Sequence, residues 1–218
     1  MKEGKGQVFV PFHVFFDEHY DIILKEKIKE VNPMHVFENV SPKNTAATLI
    51  LALSKAKELS TDTVLSTTSG ASALEAVKYA EGAPFEGRII VVTHVWGVET
   101  PGENELLEEN RKKLEDAGAI IVTAAHTLSG AERAISNKFG GTYPVEIMAH
   151  TLRMFSQGVK VCVEIAAMAL DAGAIKALRP VIAIGGTGSG LDTACVITPG
   201  YSARIFDTRV HEILCKPY

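Results

Sequence analysis

From residue 34 onward, two kinds of apolar pattern alternate along this chain, and that alternation restricts its fold more than any other feature. Short β-branched runs, of which Ile89-Ile90-Val91-Val92 is the purest, recur between longer stretches with apolar residues at helical spacing. Strands are expected at 34–38, 63–67, 88–93, 119–123, 180–184 and 193–197, with a last extended piece at 209–215. Between them the pattern predicts a helix capped by Asn44 and running to 59, then helices at 71–81 and 105–117. Further helices are expected from about Ser129 and over 144–156 and 160–172. Strand and helix in strict alternation imply crossover units, hence a mostly parallel sheet with helices on both faces. Only a glycine-rich turn joins 180–184 to 193–197, so those two strands are expected to pair antiparallel and make the sheet mixed.

The first 33 residues read differently and form an extension to the domain at 34–218. Residues 7–16 suit an extended segment, and 17–31 a charged amphipathic helix that stops at Asn32-Pro33. In the whole chain of 218 residues, 46% hydrophobic against 22% charged residues excludes disorder as the main state. The formal net charge of -4, with no basic stripe, argues against nucleic acid as a partner. The longest apolar stretch, 159–169, carries Lys160 and Glu164 and therefore reads as a buried core helix, with no membrane partner. Three cysteines, Cys162, Cys195 and Cys215, are far apart in apolar surroundings, as expected of buried thiols in a reducing cytoplasm. No cysteine or histidine spacing points to a metal.

In a sheet of this kind ligands bind beyond the carboxyl ends of the strands, so the loops there are the ones to read for function. The first, Ser66-Thr67-Thr68-Ser69-Gly70-Ala71-Ser72, places five hydroxyl residues in seven at the start of a helix. Hydroxyls and backbone N–H groups at a positive helix end suit a phosphate, although plain capping accounts for one or two of them. The second, Gly185-Gly186-Thr187-Gly188-Ser189-Gly190, lets backbone approach a ligand, or simply makes a turn; it is neither a dinucleotide fingerprint nor a P-loop. Two more loops carry His126 with Ser129, and Thr93 with His94 and Trp96, at equivalent strand ends. No nucleophile–base–orienter set emerges, so catalytic residues are unassigned. Glu164 is unusual in an apolar helix and is expected to pair with Lys160 one turn back or with a backbone donor.

Asn44-Thr45-Ala46-Ala47-Thr48-Leu49, Leu65-Ser66-Thr67-Thr68-Ser69-Gly70 and Ile89-Ile90-Val91-Val92-Thr93 resemble the C-terminal α/β domain of pyruvate kinase. A family of stand-alone, mainly archaeal proteins of this type is similar also at Lys138-Phe139-Gly140-Gly141, Ala149-His150-Thr151-Leu152-Arg153-Met154-Phe155, Lys160-Val161-Cys162-Val163-Glu164-Ile165 and Ala183-Ile184-Gly185-Gly186-Thr187, over about Met34 to Pro217. The resemblance implies a three-layer α/β/α sandwich with a mixed, mostly parallel five-stranded sheet. It implies further that Thr67, Thr68, Ser69, Gly70 and Ser72 hold a phosphate, as the matching loop holds one of a sugar bisphosphate effector. For the stand-alone family the implied ligand is flavin mononucleotide (FMN), with no assigned reaction; oxidoreduction is one option. Phosphoryl transfer belongs to a barrel domain the resemblance does not cover. The alternative is a non-catalytic regulatory module that binds a sugar phosphate or another phosphorylated metabolite. The expected partner is thus a phosphorylated small molecule, and the expected assembly a homo-oligomer.

Overall fold

The computed structural model describes residues 33–82 and 86–218, so the segments expected at 7–16 and 17–31 lie outside the described residues. Seven strands form one sheet: β1 (His35–Phe37), β2 (Thr63–Ser66), β3 (Ile89–Thr93), β4 (Ile120–Thr123), β5 (Val181–Gly185), β6 (Thr193–Thr198) and β7 (Arg209–Pro217). Their spatial order is β1-β7-β6-β5-β2-β3-β4. β6 runs antiparallel to both neighbours, and every other pairing is parallel. The sheet is therefore mixed and mostly parallel, with seven strands rather than five. The correction has a simple cause: the terminal segments β1 and β7 extend the sheet beyond β6, where β7 pairs with β6 and β1 with β7.

Among the described residues six α-helices flank it: α1 (Thr45–Leu59), α2 (Ala71–Gly82), α3 (Glu108–Asp116), α4 (Gly130–Phe139), α5 (Pro144–Arg153) and α6 (Gln157–Asp171). α1, α2 and α3 follow one another on one side, and α6 packs on β2, β3, β5 and β6 with α5 outside it. Two helices are shorter than their periodicity predicts. Residues 105–107 are held in a loop, and 154–155 form a turn before the next helix starts. That start is set by Ser156, whose hydroxyl accepts a hydrogen bond from the Val159 N–H at 3.0 Å.

α6 is buried on nearly every side, from Val159 through Leu170 at all but one position. A helix apolar all round belongs in a core, and its alanines (Ala166, Ala167 and Ala169) let it lie close to the strands. Its first turn comes closest. A Cβ on Gly158 would stand 2.1 Å from Thr193 Oγ1, and one on Gly185 would stand 2.7 Å from the Gly158 carbonyl oxygen. This contact brings the amino end of α6 directly against the ends of β5 and β6, and so fixes one wall of the cleft described below.

All three cysteines are buried and free of disulfides. Burial pushes the Cys162 thiol well above its ordinary range and pushes Cys215 up to about 11. A thiol reagent should therefore label none of the three in the native protein at neutral pH, and all three in denaturant. Rapid labelling of any one in the folded state would contradict the packing of α6 and β7.

Among the described residues no helix is long and apolar enough to cross a membrane. No group of three or more His, Cys, Asp or Glu among them is placed to hold a metal ion.

Candidate functional site

The strand order reverses at the β2–β5 boundary. From β2 the chain moves outward through β3 and β4, then crosses back by way of α6 to β5 on the other side of β2. The loops leaving β2 and β5 diverge there, which is where an open α/β sheet offers a crevice. A cleft of about 820 Å³ occupies the position, within the range that holds a ligand the size of a nucleotide.

Eleven of the fourteen residues singled out in the sequence line it: Ser66, Thr67, Thr68, Ser69, Ser72, Thr93, His94, His126, Ser129, Gly186 and Gly188. Gly70, Gly185 and Thr187 do not. Gly70 (φ +97°) faces away, and a Cβ on it would stand 2.8 Å from both Asn110 and Leu106. Gly185 is engaged by Gly158, as above. The glycine-rich turn is in fact mostly explained by packing. A Cβ on Gly186 would meet the Gly190 carbonyl oxygen at 2.0 Å, and one on Gly190 would meet Thr45 Oγ1 at 2.7 Å. Thr45 Oγ1 also accepts from the Leu191 N–H at 3.0 Å, tying the turn to the start of α1.

The hydroxyl-rich loop divides into two sets. Thr67 and Ser72 are used internally: Thr67 Oγ1 accepts from the Gly70 N–H at 3.1 Å and lies 3.1 Å from Ser72 Oγ. These bonds close the turn that leads into α2. Asn110 Nδ2 donates to the Ser69 carbonyl oxygen at 2.9 Å, holding the loop against α3. The side chains of Thr68 and Ser69 make no hydrogen bond among the described residues and face the cleft. Internal bonding thus accounts for part of the loop, and the hydroxyls of Thr68 and Ser69 are left beside the amino end of α2.

Opposite this loop stand the two histidines. Thr93, at the end of β3, donates to the His94 carbonyl oxygen and lies 2.7 Å from Thr123 Oγ1 across the sheet. Asn104 Nδ2 donates to the His94 carbonyl oxygen at 2.9 Å, and Asn104 Oδ1 accepts from the Leu106 N–H at 2.9 Å. That bracing sets Glu105 against the His94 ring, with Oε2 2.5 Å from Nδ1. The rings of His94 and His126 meet edge to face at 5.4 Å between centroids. Trp96 is 57% exposed and is not among the cleft's lining residues.

The floor comes from α6 and was only half legible in the sequence. Lys160 and Glu164 are both buried and paired, and both line the cleft. The second carboxylate oxygen, Oε1, accepts from the Leu128 N–H at 3.0 Å, so the expected cation and the expected backbone donor are both present. Burial pulls the Lys160 ammonium below its ordinary range, while Glu164 pushes it back up. Burial likewise lowers His126, with His94 and Lys160 adding to the lowering and Glu164 opposing it. Arg133, Gln157 and Glu75 also line the cleft and carried no local motif. Only the crossing of α6 under the strand ends brings Gln157 there.

Thr68, Ser69, His94, His126, Lys160 and Glu164 thus gather at one strand-end crevice of an α/β domain. Residues 46–197 match the family described as pyruvate kinase, alpha/beta domain. The chain belongs to that family. The matched range spans β2 through β5 and all but the last residue of β6, and β1 and β7 lie outside it.

Proposed function

We propose that the cleft binds a phosphorylated small molecule, and that FMN is the ligand its lining fits best. The observation that carries this reading is the opening of the Thr68–Ser69 edge and the His94–His126 edge into one cleft of about 820 Å³. The dianionic phosphate sits against the amino end of α2, where Thr68, Ser69 and the first backbone N–H groups supply donors. The flat ring extends toward His94 and His126. The packing that already occupies Gly185, Gly186 and Gly190 favours this orientation over one with the phosphate on the glycine-rich turn.

A flavin, when bound, supplies hydride or electron transfer. The chain's own residues bind and orient it: hydroxyls and amides hold the charged end, and the histidine loops border the ring. We place the protein in the cytoplasm, which suits three buried free thiols. A homo-oligomer is the assembly we propose, and exposed Phe139, Ile147, Met154 and Phe155 on and beside α4 and α5 support it.

Titration of the purified protein with FMN, followed by flavin fluorescence, tests the reading. Saturable binding that is weakened by competing inorganic phosphate is expected. Absence of flavin binding, with saturable binding of a sugar phosphate instead, would replace this reading by the regulatory module.

A further inference from the structure

We propose that His94 and His126 together read a lactam edge, –NH–C(=O)–, on the ring of the cleft's ligand. His94 Nε2 accepts the ring N–H, and His126 Nδ1–H donates to the neighbouring carbonyl. The assignment rests on the reading of the cleft as a ligand site, but its argument is independent of the phosphate.

It starts from which ring nitrogens are already used. Glu105 Oε2 lies 2.5 Å from His94 Nδ1, and a carboxylate only accepts, so Nδ1 carries the proton. In the neutral ring that leaves Nε2 as a bare lone pair. His126 is fixed from the other side: its Nε2 accepts from the Val95 N–H, a long hydrogen bond at 3.4 Å, so its proton is on Nδ1. Neither remaining nitrogen has a partner among the described residues. One is an acceptor and the other a donor, on rings 5.4 Å apart that both line the cleft.

An acceptor and a donor on two neighbouring rings complement a donor and an acceptor on one ligand edge, and a planar lactam presents that pair. A sugar hydroxyl rotates to suit either nitrogen and gains nothing from the fixed tautomers. A flavin's pyrimidinedione edge has the rigid pattern. Burial disfavours the charged form of His126, which works against a second proton on its ring. Glu105 is a positioning residue here: it touches no ligand and acts by setting the His94 tautomer.

The test uses the full chain with ¹⁵N-labelled histidine at about pH 8.5, well above the ordinary imidazole value of about 6.5. Long-range ¹⁵N–¹H spectra should show both histidines with the proton on Nδ1, against the Nε2–H preference of free imidazole. Riboflavin and N3-methylriboflavin, which lack the phosphate, are then compared as ligands. Methylation should weaken binding about tenfold or more, because it removes one donor and leaves a desolvated acceptor. Glu105→Leu should move the His94 proton to Nε2 and abolish the difference between the two flavins, while Glu105→Gln, whose amide oxygen still accepts, should restore it.

Equal affinity of the two flavins, a wild-type His94 with its proton on Nε2, or no flavin binding at all would overturn the assignment. Retained discrimination in Glu105→Leu would do so as well. If N3-methylation matters but FMN binds no better than riboflavin, the phosphate site falls and the lactam edge stands. If FMN binds far more tightly than riboflavin and methylation is neutral, the reverse holds.

Discussion

Lys160→Met should lower the melting temperature by about 10 °C, and adding Glu164→Leu to it should restore much of that loss. Removing Lys160 alone leaves a buried carboxylate with one remaining donor, the Leu128 N–H. Breaking a buried pair in this way typically costs about 3–5 kcal/mol, and in a chain of this size each kcal/mol shifts the midpoint by about 2–4 °C. Glu164→Leu alone should be milder. Burial already biases the Lys160 side chain toward its neutral form, so the amine can shed its proton. The Leu128 amide is then orphaned, at about 1–3 kcal/mol, and the double variant inherits that residue of the penalty. Thermal unfolding of the four proteins gives the coupling directly. A double variant as unstable as the sum of the singles would contradict a pair that is buried and mutually dependent.

Ser69→Asp should reduce FMN affinity by a hundredfold or more while leaving the fold intact. Its side chain faces the cleft, whereas the structural work at this position is done by its carbonyl oxygen, which Asn110 Nδ2 and the Leu107 N–H hold. A carboxylate about 4 Å from a phosphate repels it by about 4 kcal/mol per unit charge at an effective dielectric constant near 20. Each 1.4 kcal/mol is about tenfold in affinity. Ser69→Ala, which removes one donor and adds no charge, should cost only about tenfold. Riboflavin, with no phosphate, should bind the Asp variant nearly as well as the wild type. Equal losses for FMN and riboflavin would mean that the loop had been deformed rather than charged.

Much of this arrangement is written locally. The β-branched run Ile89-Ile90-Val91-Val92 reads as a strand buried on both faces, and the hydroxyl cluster at 66–72 announces a helix start with donors to spare. The antiparallel pairing of β5 and β6 followed from the shortness of their connection. What escaped is what depends on non-local contact. Nothing near Gly185 says that it is glycine because Gly158 lies against it, so the turn looked more like a ligand loop than it is. Lys160 and Glu164 read as an internal ion pair of a core helix, which they are. Their second role as the cleft floor arises only because α6 begins under the strand ends. The His94–Glu105 contact was invisible for the same reason, since ten residues of loop separate the partners until Asn104 braces them.

The decisive measurement is a crystal structure of the protein grown with FMN. The account predicts the phosphate within hydrogen-bond distance of Thr68, Ser69 and the first N–H groups of α2, with the ring extending to His94 and His126. A phosphate seated on the Gly186–Gly190 turn, or a flavin bound outside the cleft, would contradict it.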